Sequence, residues 1–335
     1  MRILHVSSQF WFRFGERLYN QDRKISSGLT KLGHFVYDFS YRDVASYHSF
    51  FRKKKRGKYR MNRSLLQAIE RVEPHLLLLG HSELVEEDTI SEIRRMYPRM
   101  QIAMWYVDAL YKAPQFEAKL QYFDAFFATG AGPELERLES LTNGRVCFFP
   151  NVCDQSIDTF SAYSNERNQY DLIFAGSDAG AERREFVHGL RNRLEGVEFG
   201  IFGNSKETKK QSIDYLKLLG HSSMGLNFSR HNDQPLYTSD RQIQLAANGV
   251  MVFCPNIPGF RGLFSEEEQV YFDGIEDLVE KVYFYLRNEK ERCRIARQGQ
   301  IRAHESYNST RVCRFMIEAI ENRGFSEDYE WLSYC

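Results

Sequence analysis

The chain is 335 residues long, with hydrophobic residues at 42% and charged residues at 27%, which excludes a disordered chain, a collagen-like repeat and a disulfide mini-protein and favours two domains. Lys+Arg and Asp+Glu balance at 45 each, so a nucleic-acid partner, which calls for surplus positive charge, is not expected. No apolar run approaches the ~18–20 residues that cross a bilayer, and the first residues lack the apolar segment and cleavage site of a signal peptide.

The six cysteines (Cys147, Cys153, Cys254, Cys293, Cys313, Cys335) show no CxxC spacing. Reduced thiols in a cytoplasmic protein, with no metal site and no cofactor, are the expectation. The 19 Tyr and 26 Phe suit core packing or the faces of bound sugars.

The first half alternates strand and helix patterns. Arg2–Ser7 is a β-rich apolar run, followed by a loop with Gly15 and a helical stretch to Leu32 that Gly33 stops. His34–Ser40 alternates like a strand, and Asn62–Val72 has helical spacing with Asn62 as its cap. HLLLLGH after Pro74 is typical of a parallel strand buried on both faces. Ile102–Val107, Ala125–Thr129 and Val146–Phe149 are further strands, with helical segments between the earlier ones. The basic run Arg52–Arg60 (RKKKRGKYR) reads either as a solvated loop or as a contact for anionic headgroups or a phosphorylated acceptor.

The pattern restarts after a Ser/Asn-rich stretch, Asp154–Gln169, expected to join two domains, 1–155 and 156–320, with 321–335 a tail packing back on the first. Strands are predicted at Asp171–Ala175, Val197–Phe202, Met224–Phe228 and Val250–Phe253. Helices are predicted from the residues after Ser177 through Arg191, and at Ser212–Leu219, Asp240–Asn248, Ile275–Asn288, Glu289–Ala303 and Ser309–Asn322. Strand–helix alternation of this kind gives an α/β chain of two Rossmann-like domains facing each other across a cleft, with ligands at the carboxyl ends of the strands.

FAGS (Phe174–Ser177) places Gly176 and Ser177 between a strand and a helix N-terminus, an anion-binding arrangement, with Arg183 and Arg184 placed to clamp a diphosphate. The stretch Gly225–Gly249 carries a polar loop (Arg230, His231, Asn232, Asp233, Tyr237, Ser239, Asp240) and then a helix with Arg241 and Gln244. Such a loop at a strand's carboxyl end serves a ligand. His81 and Glu83 (GHSE) and Asp108 (WYVDALY) end strands of the first half, where a general base or an acceptor contact belongs, or else a capping Asp and a hydrogen-bonded His. Gly15, beside Arg13 and Glu16, is a candidate acceptor contact.

The run from Ser239 to Arg311 resembles the C-terminal half of bacterial glycosyltransferases of the CgeB-like, family-4-related type, through Ser239, Arg241, Ile243, Gln244, Ala247, Gly249, Phe264, Glu268 and Tyr307 before Arg311. FFPNVCD (Phe148–Asp154), FAGS with Arg184, and GLNFS (Gly225–Ser229) look similar in the same order. The resemblance implies a GT-B fold and metal-independent, retaining transfer of a sugar from a nucleotide-sugar donor to a glycan or lipid-linked acceptor. Arg183, Arg184 and Arg241 would ease departure of the diphosphate and Glu268 would lie near the ribose or the donor sugar. Arg230 leaves an acidic donor sugar open. Gln244 stands where the family has Glu, so either the donor is held differently or a nearby acid, Asp233 or Asp240, takes over, and Asp233 is a candidate nucleophile. A catalytically weak binding homologue and a sugar-nucleotide epimerase are the rival readings.

Overall fold

The computed structural model describes residues 1–49, 54–112, 114–177, 180–203 and 209–335, and the chain divides into two compact units, Met1–Pro150 with Ser309–Cys335, and Asn151–Asn308. The first unit holds a six-stranded parallel sheet in the order β2-β1-β3-β4-β5-β6, formed by β1 (Arg2–Ser7), β2 (Phe35–Ser40), β3 (Leu76–Gly80), β4 (Gln101–Tyr106), β5 (Ala125–Ala128) and β6 (Arg145–Phe148). Its helices are α1 (Gln21–Lys31), α2 (Tyr41–Tyr47), α3 (Lys54–Val72), α4 (Glu87–Met96), α5 (Pro114–Leu120) and α6 (Pro133–Glu139). The run Leu76–Leu79 is buried along its whole length, as a central parallel strand requires. Each of these leucines contributes about 2 kcal/mol of hydrophobic stabilisation.

The second unit holds a five-stranded parallel sheet, β11-β10-β9-β7-β8, from β7 (Tyr170–Ala175), β8 (Phe199–Phe202), β9 (Ser222–Leu226), β10 (Met251–Pro255) and β11 (Val270–Phe272). Around it lie α7 (Ala181–Arg193), α8 (Ser212–Gly220), α9 (Arg241–Ala247), α10 (Gly274–Arg287) and α11 (Glu289–Ser306). Leu172, Phe174, Val187, Leu190, Phe253 and Val282 belong to one buried cluster. In each unit the strand order reverses beside the first strand, between β1 and β3 and between β7 and β9, which is where an open α/β sheet offers its ligand crevice.

Four expectations are corrected. The final helix α12 (Ser309–Ile320) packs on α1, so the chain returns to the first unit at Ser309, one helix earlier than the expected boundary at 320. The polar stretch after Asp154 is not a connection, because the Ala162 and Tyr163 amides donate to the Asn248 and Gly249 carbonyls and hold it on the second unit. Asn62 lies inside α3 and caps nothing there. Its amide donates to Leu84 O and accepts from Glu86 N, holding the β3–α4 loop. Of the basic run, Arg52 and Lys53 lie outside the described residues, and the rest opens α3 instead of forming a loop.

The expectation of six reduced cysteines also fails: Cys147 on β6 and Cys335 form a disulfide, while Cys153, Cys254, Cys293 and Cys313 are in no disulfide among the described residues. The return of α12 to the first unit is what brings the chain's last residue to β6. Among the described residues no helix is long and apolar enough to cross a membrane.

Candidate functional site

In the second unit the crevice adjoins Phe174, the penultimate residue of β7, two positions before Gly176 and fully buried. Arg241, the first residue of α9, lays its guanidinium 4.7 Å from the centre of that ring. Its Nε donates to Ala175 O at 2.7 Å and its Nη1 to Phe228 O at 3.3 Å. Arg183 approaches the same ring at 6.0 Å. Gly176 is a glycine because a Cβ there would lie 2.2 Å from Arg241 Nη2.

Arg241 is buried, and among the described residues its hydrogen bonds go to carbonyl oxygens and none to a carboxylate. Burial pulls its pKa below the ordinary arginine value, against the opposing influence of Tyr215, Asp240 and Tyr237. A guanidinium this basic stays charged all the same. A buried cation without an ion partner is an unbalanced charge, and an anion is what would balance it.

The loop between β9 and α9 closes on itself. Ser239 N donates to Ser229 Oγ at 3.2 Å, and Ser229 and Asn232 exchange bonds at 2.9 and 3.1 Å. Ser239 Oγ is buried with no hydrogen-bond partner among the described residues. The loop thus presents an unused polar atom two residues before Arg241, while Arg230 and Asp233 stand exposed towards its tip.

The remaining expected donor contacts separate. Helix phase turns Arg183 inward and Arg184 outward, so Arg183 joins Arg241 while Arg184 and Ser177 are exposed. Glu268 accepts from Ser265 N at 2.7 Å and lies 3.8 Å from Arg302, holding its own turn. Gln244 is buried, its carbonyl oxygen taking the Tyr215 hydroxyl at 2.6 Å and its amide donating to Asp240 Oδ2 at 2.9 Å. Sequence reasoning had no signal for Tyr215, which comes from α8.

Gln244→Glu would keep the Tyr215 bond and set a second carboxylate against Asp240. A loss of about 1 kcal/mol is expected at neutral pH, kept small by the exposure of Asp240. Two adjacent carboxylates raise the pKa of the pair in the folded state. The loss is therefore full above that pKa and shrinks as acidification protonates one of them, which denaturant melts at two pH values would show.

In the first unit the loops at the reversal point carry a second polar group. His81 and Ser82 both adopt left-handed backbone, φ 55° and 46°, an arrangement that non-glycine residues keep only where the surroundings enforce it. Ser82 Oγ donates to Val6 O and Gly80 O, which anchors the turn. The His81 ring sits 5.7 Å from Trp105 and 4.9 Å from Tyr106. Burial holds its pKa below the ordinary 6.5, against the upward pull of Asp108, Asp22 and Glu83.

Asp22 was missed from sequence. It accepts from Ser8 N at 2.7 Å and Asn20 Nδ2 at 2.9 Å, and burial raises its pKa. Arg42 and Tyr41 were missed as well. Arg42 pairs with Glu83 at 2.6 Å, and Tyr41 donates its hydroxyl to the same carboxylate. Although burial opposes it, these two partners hold Glu83 below the usual carboxylate range, so it is an ionised, engaged group. Asp108 and Gly15 are exposed. Among the described residues no group of three His, Cys, Asp or Glu is placed to hold a metal ion.

With its pKa lowered, His81 is neutral in the folded protein at pH 7. As the pH falls below about 6.5 the unfolded chain takes up this proton first, so folding stability declines through that window. His81→Asn, which tolerates left-handed backbone, is expected to flatten the fall of melting temperature between about pH 7 and about pH 5.

Residues 183–318 match a family model described as glycosyl transferase-like. No curated protein matches. Among solved structures, sucrose-phosphate synthase from Thermosynechococcus elongatus superposes with a TM-score of 0.66 at 12% identity, over 96% of this chain and 99% of that one. Anabaena HepE, solved in complex with UDP, gives 0.60 at 11% identity over 96% and 100%. A putative UDP-N-acetylglucosamine 2-epimerase from Listeria monocytogenes gives 0.55 at 11% over 98% and 99%. The family match is thus confined to residues 183–318, and the two Rossmann-like units share the GT-B fold of these solved structures.

Proposed function

We propose that this chain is a glycosyltransferase that moves a sugar from a nucleotide-sugar donor to a hydroxyl of a glycan or lipid-linked acceptor, with the donor diphosphate held in the second unit at Arg241. The observation that carries the reading is the buried guanidinium on Phe174 beside Gly176, charged and without a carboxylate partner among the described residues. Support comes also from HepE, a structural neighbour solved with UDP and with UDP-glucose. Arg183 and the unused Ser239 hydroxyl belong to the same site.

The acceptor oxygen would attack the anomeric carbon as the bond from that carbon to the diphosphate oxygen breaks. Its proton would pass to His81 or Asp108, the bases offered by the first unit. Negative charge developing on the departing diphosphate is what Arg241 and Arg183 would stabilise, doing by charge-assisted hydrogen bonds what a metal ion does elsewhere. Retention of configuration is part of this proposal.

The products separate the rival readings. Purified protein incubated with radiolabelled UDP-, GDP-, dTDP-, ADP- and CMP-linked sugars and a lipid or glycan extract is expected to release the free nucleotide and label the acceptor. An isomerised free sugar or nucleotide sugar would establish an epimerase instead. Binding without turnover of any donor would establish a binding homologue.

A further inference from the structure

We propose that the first unit docks on an anionic lipid bilayer through an aromatic and basic surface made by the Phe10–Gly15 loop, α2 and the first turns of α3. The inference does not depend on the donor reading. It starts from FWFRFG, six residues that follow the first strand closely. Phe14 is 93% exposed, Phe12 46% and Trp11 42%. Large apolar side chains left in water forgo the stabilisation that burial gives, and clustered exposure of this kind marks an interaction surface.

The exposure is built into the backbone. Phe10 and Phe14 both sit in the left-handed region, φ 53° and 46°, where bulky residues are rare. Arg13 N donates to Phe10 O and Glu16 N to Arg13 O, closing the loop into successive turns. The Arg13 guanidinium binds Glu16 at 2.7 Å. A sugar-stacking platform needs polar groups free around a ring face, and here the neighbouring guanidinium is already engaged.

The basic element adjoins this loop. Trp11 N donates to Asp43 Oδ2 at 2.7 Å, which fixes the loop on α2. Two residues further along α2, the Ala45 carbonyl touches Gly57 of α3 so closely that a Cβ at 57 would lie 1.8 Å from it. On these two helices Tyr47 is 76% exposed and Tyr59 67%, and Arg60 and Arg63 are exposed. The sequence run RKKKRGKYR, Arg52–Arg60, contains no acid, in a chain whose net charge is zero. Aromatic rings at headgroup level with Lys and Arg beside them is the pattern of the bilayer interface, and each basic residue near anionic lipid contributes about 1 kcal/mol, roughly fivefold in affinity.

Intrinsic fluorescence tests this directly, because the chain has three tryptophans and Trp105 and Trp331 are fully buried. On titration with phosphatidylcholine–phosphatidylglycerol vesicles, emission is expected to shift to the blue and the protein to float with the vesicles. Pure phosphatidylcholine and high salt are expected to weaken both. Trp11→Phe should abolish the shift and keep flotation. Trp11→Ala with Phe14→Ala should weaken flotation at least tenfold, and Arg60→Glu with Arg63→Glu at least about 25-fold, all with unchanged melting temperature. No flotation with anionic vesicles, or flotation indifferent to both double variants, overturns the proposal. A shift produced by soluble oligosaccharide and not by vesicles also overturns it, in favour of a sugar platform.

Discussion

Arg241→Met is expected to abolish nucleotide binding, by about 100-fold or more, while the protein still folds. The guanidinium offers a diphosphate charge-assisted hydrogen bonds worth about 1.5–3 kcal/mol each, and losing one or two of them accounts for that factor. The effect on folding is smaller because two terms oppose. Met matches the volume over Phe174 and removes a desolvated charge that lacks an ion partner among the described residues, a change that is often neutral or stabilising. Against this, Ala175 O and Phe228 O lose their donor, at about 1–3 kcal/mol for a buried group left unmet. A net loss of at most about 2 kcal/mol is expected, measurable by chemical denaturation. Gly176→Ala checks the geometry independently, since its Cβ would lie 2.2 Å from Nη2 and must push the guanidinium aside. It should lower nucleotide affinity with Arg241 still present.

The second large effect is on stability. In Gly28→Ala the new Cβ would stand 2.3 Å from Ser309 O and 2.8 Å from Cys313 Sγ, where α12 crosses α1. Alanine gains up to about 1 kcal/mol of helix propensity over glycine. The contact is with backbone, however, so no rotamer change relieves it, and the helices must separate. A net loss of about 2–3 kcal/mol is expected, seen as a fall in melting temperature of roughly 4–12 °C for a unit of this size. Because α12 belongs to the first unit, nucleotide affinity of the second should be unchanged. An altered affinity would mean that α12 serves the second unit after all.

How much of this was legible in the sequence depends on where each residue finds its partners. HLLLLGH and DLIFA declare themselves as buried strands because every side chain is apolar. The opening of α3 does not, because RKKKRGKYR carries the marks of a solvated loop, and what holds the helix is the close packing of Gly57 on α2. The stretch after Asp154 looked like a linker by composition, but its backbone groups bond to the end of α9 instead of to water.

Site residues follow the same rule. Arg241 was visible as a basic residue opening a helix after a polar loop. The choice between Arg183 and Arg184 needs the phase of α7, and the Tyr215 bond that engages Gln244 spans 29 positions. Asp22 and Arg42 meet the His81 and Glu83 turn only through the strand order β2-β1-β3, which no local pattern contains.

The measurement that bears most directly on the central claim is nucleotide-dependent stabilisation of the wild-type protein and of Arg241→Met. Melting temperatures would be taken with UDP, GDP, CMP, dTDP and ADP, each at high excess. A ligand at ~100 times its dissociation constant adds about 2.7 kcal/mol, a rise of several degrees. The account predicts such a rise for at least one nucleotide in the wild type and none in Arg241→Met. No rise with any nucleotide, or an equal rise in both proteins, would contradict it.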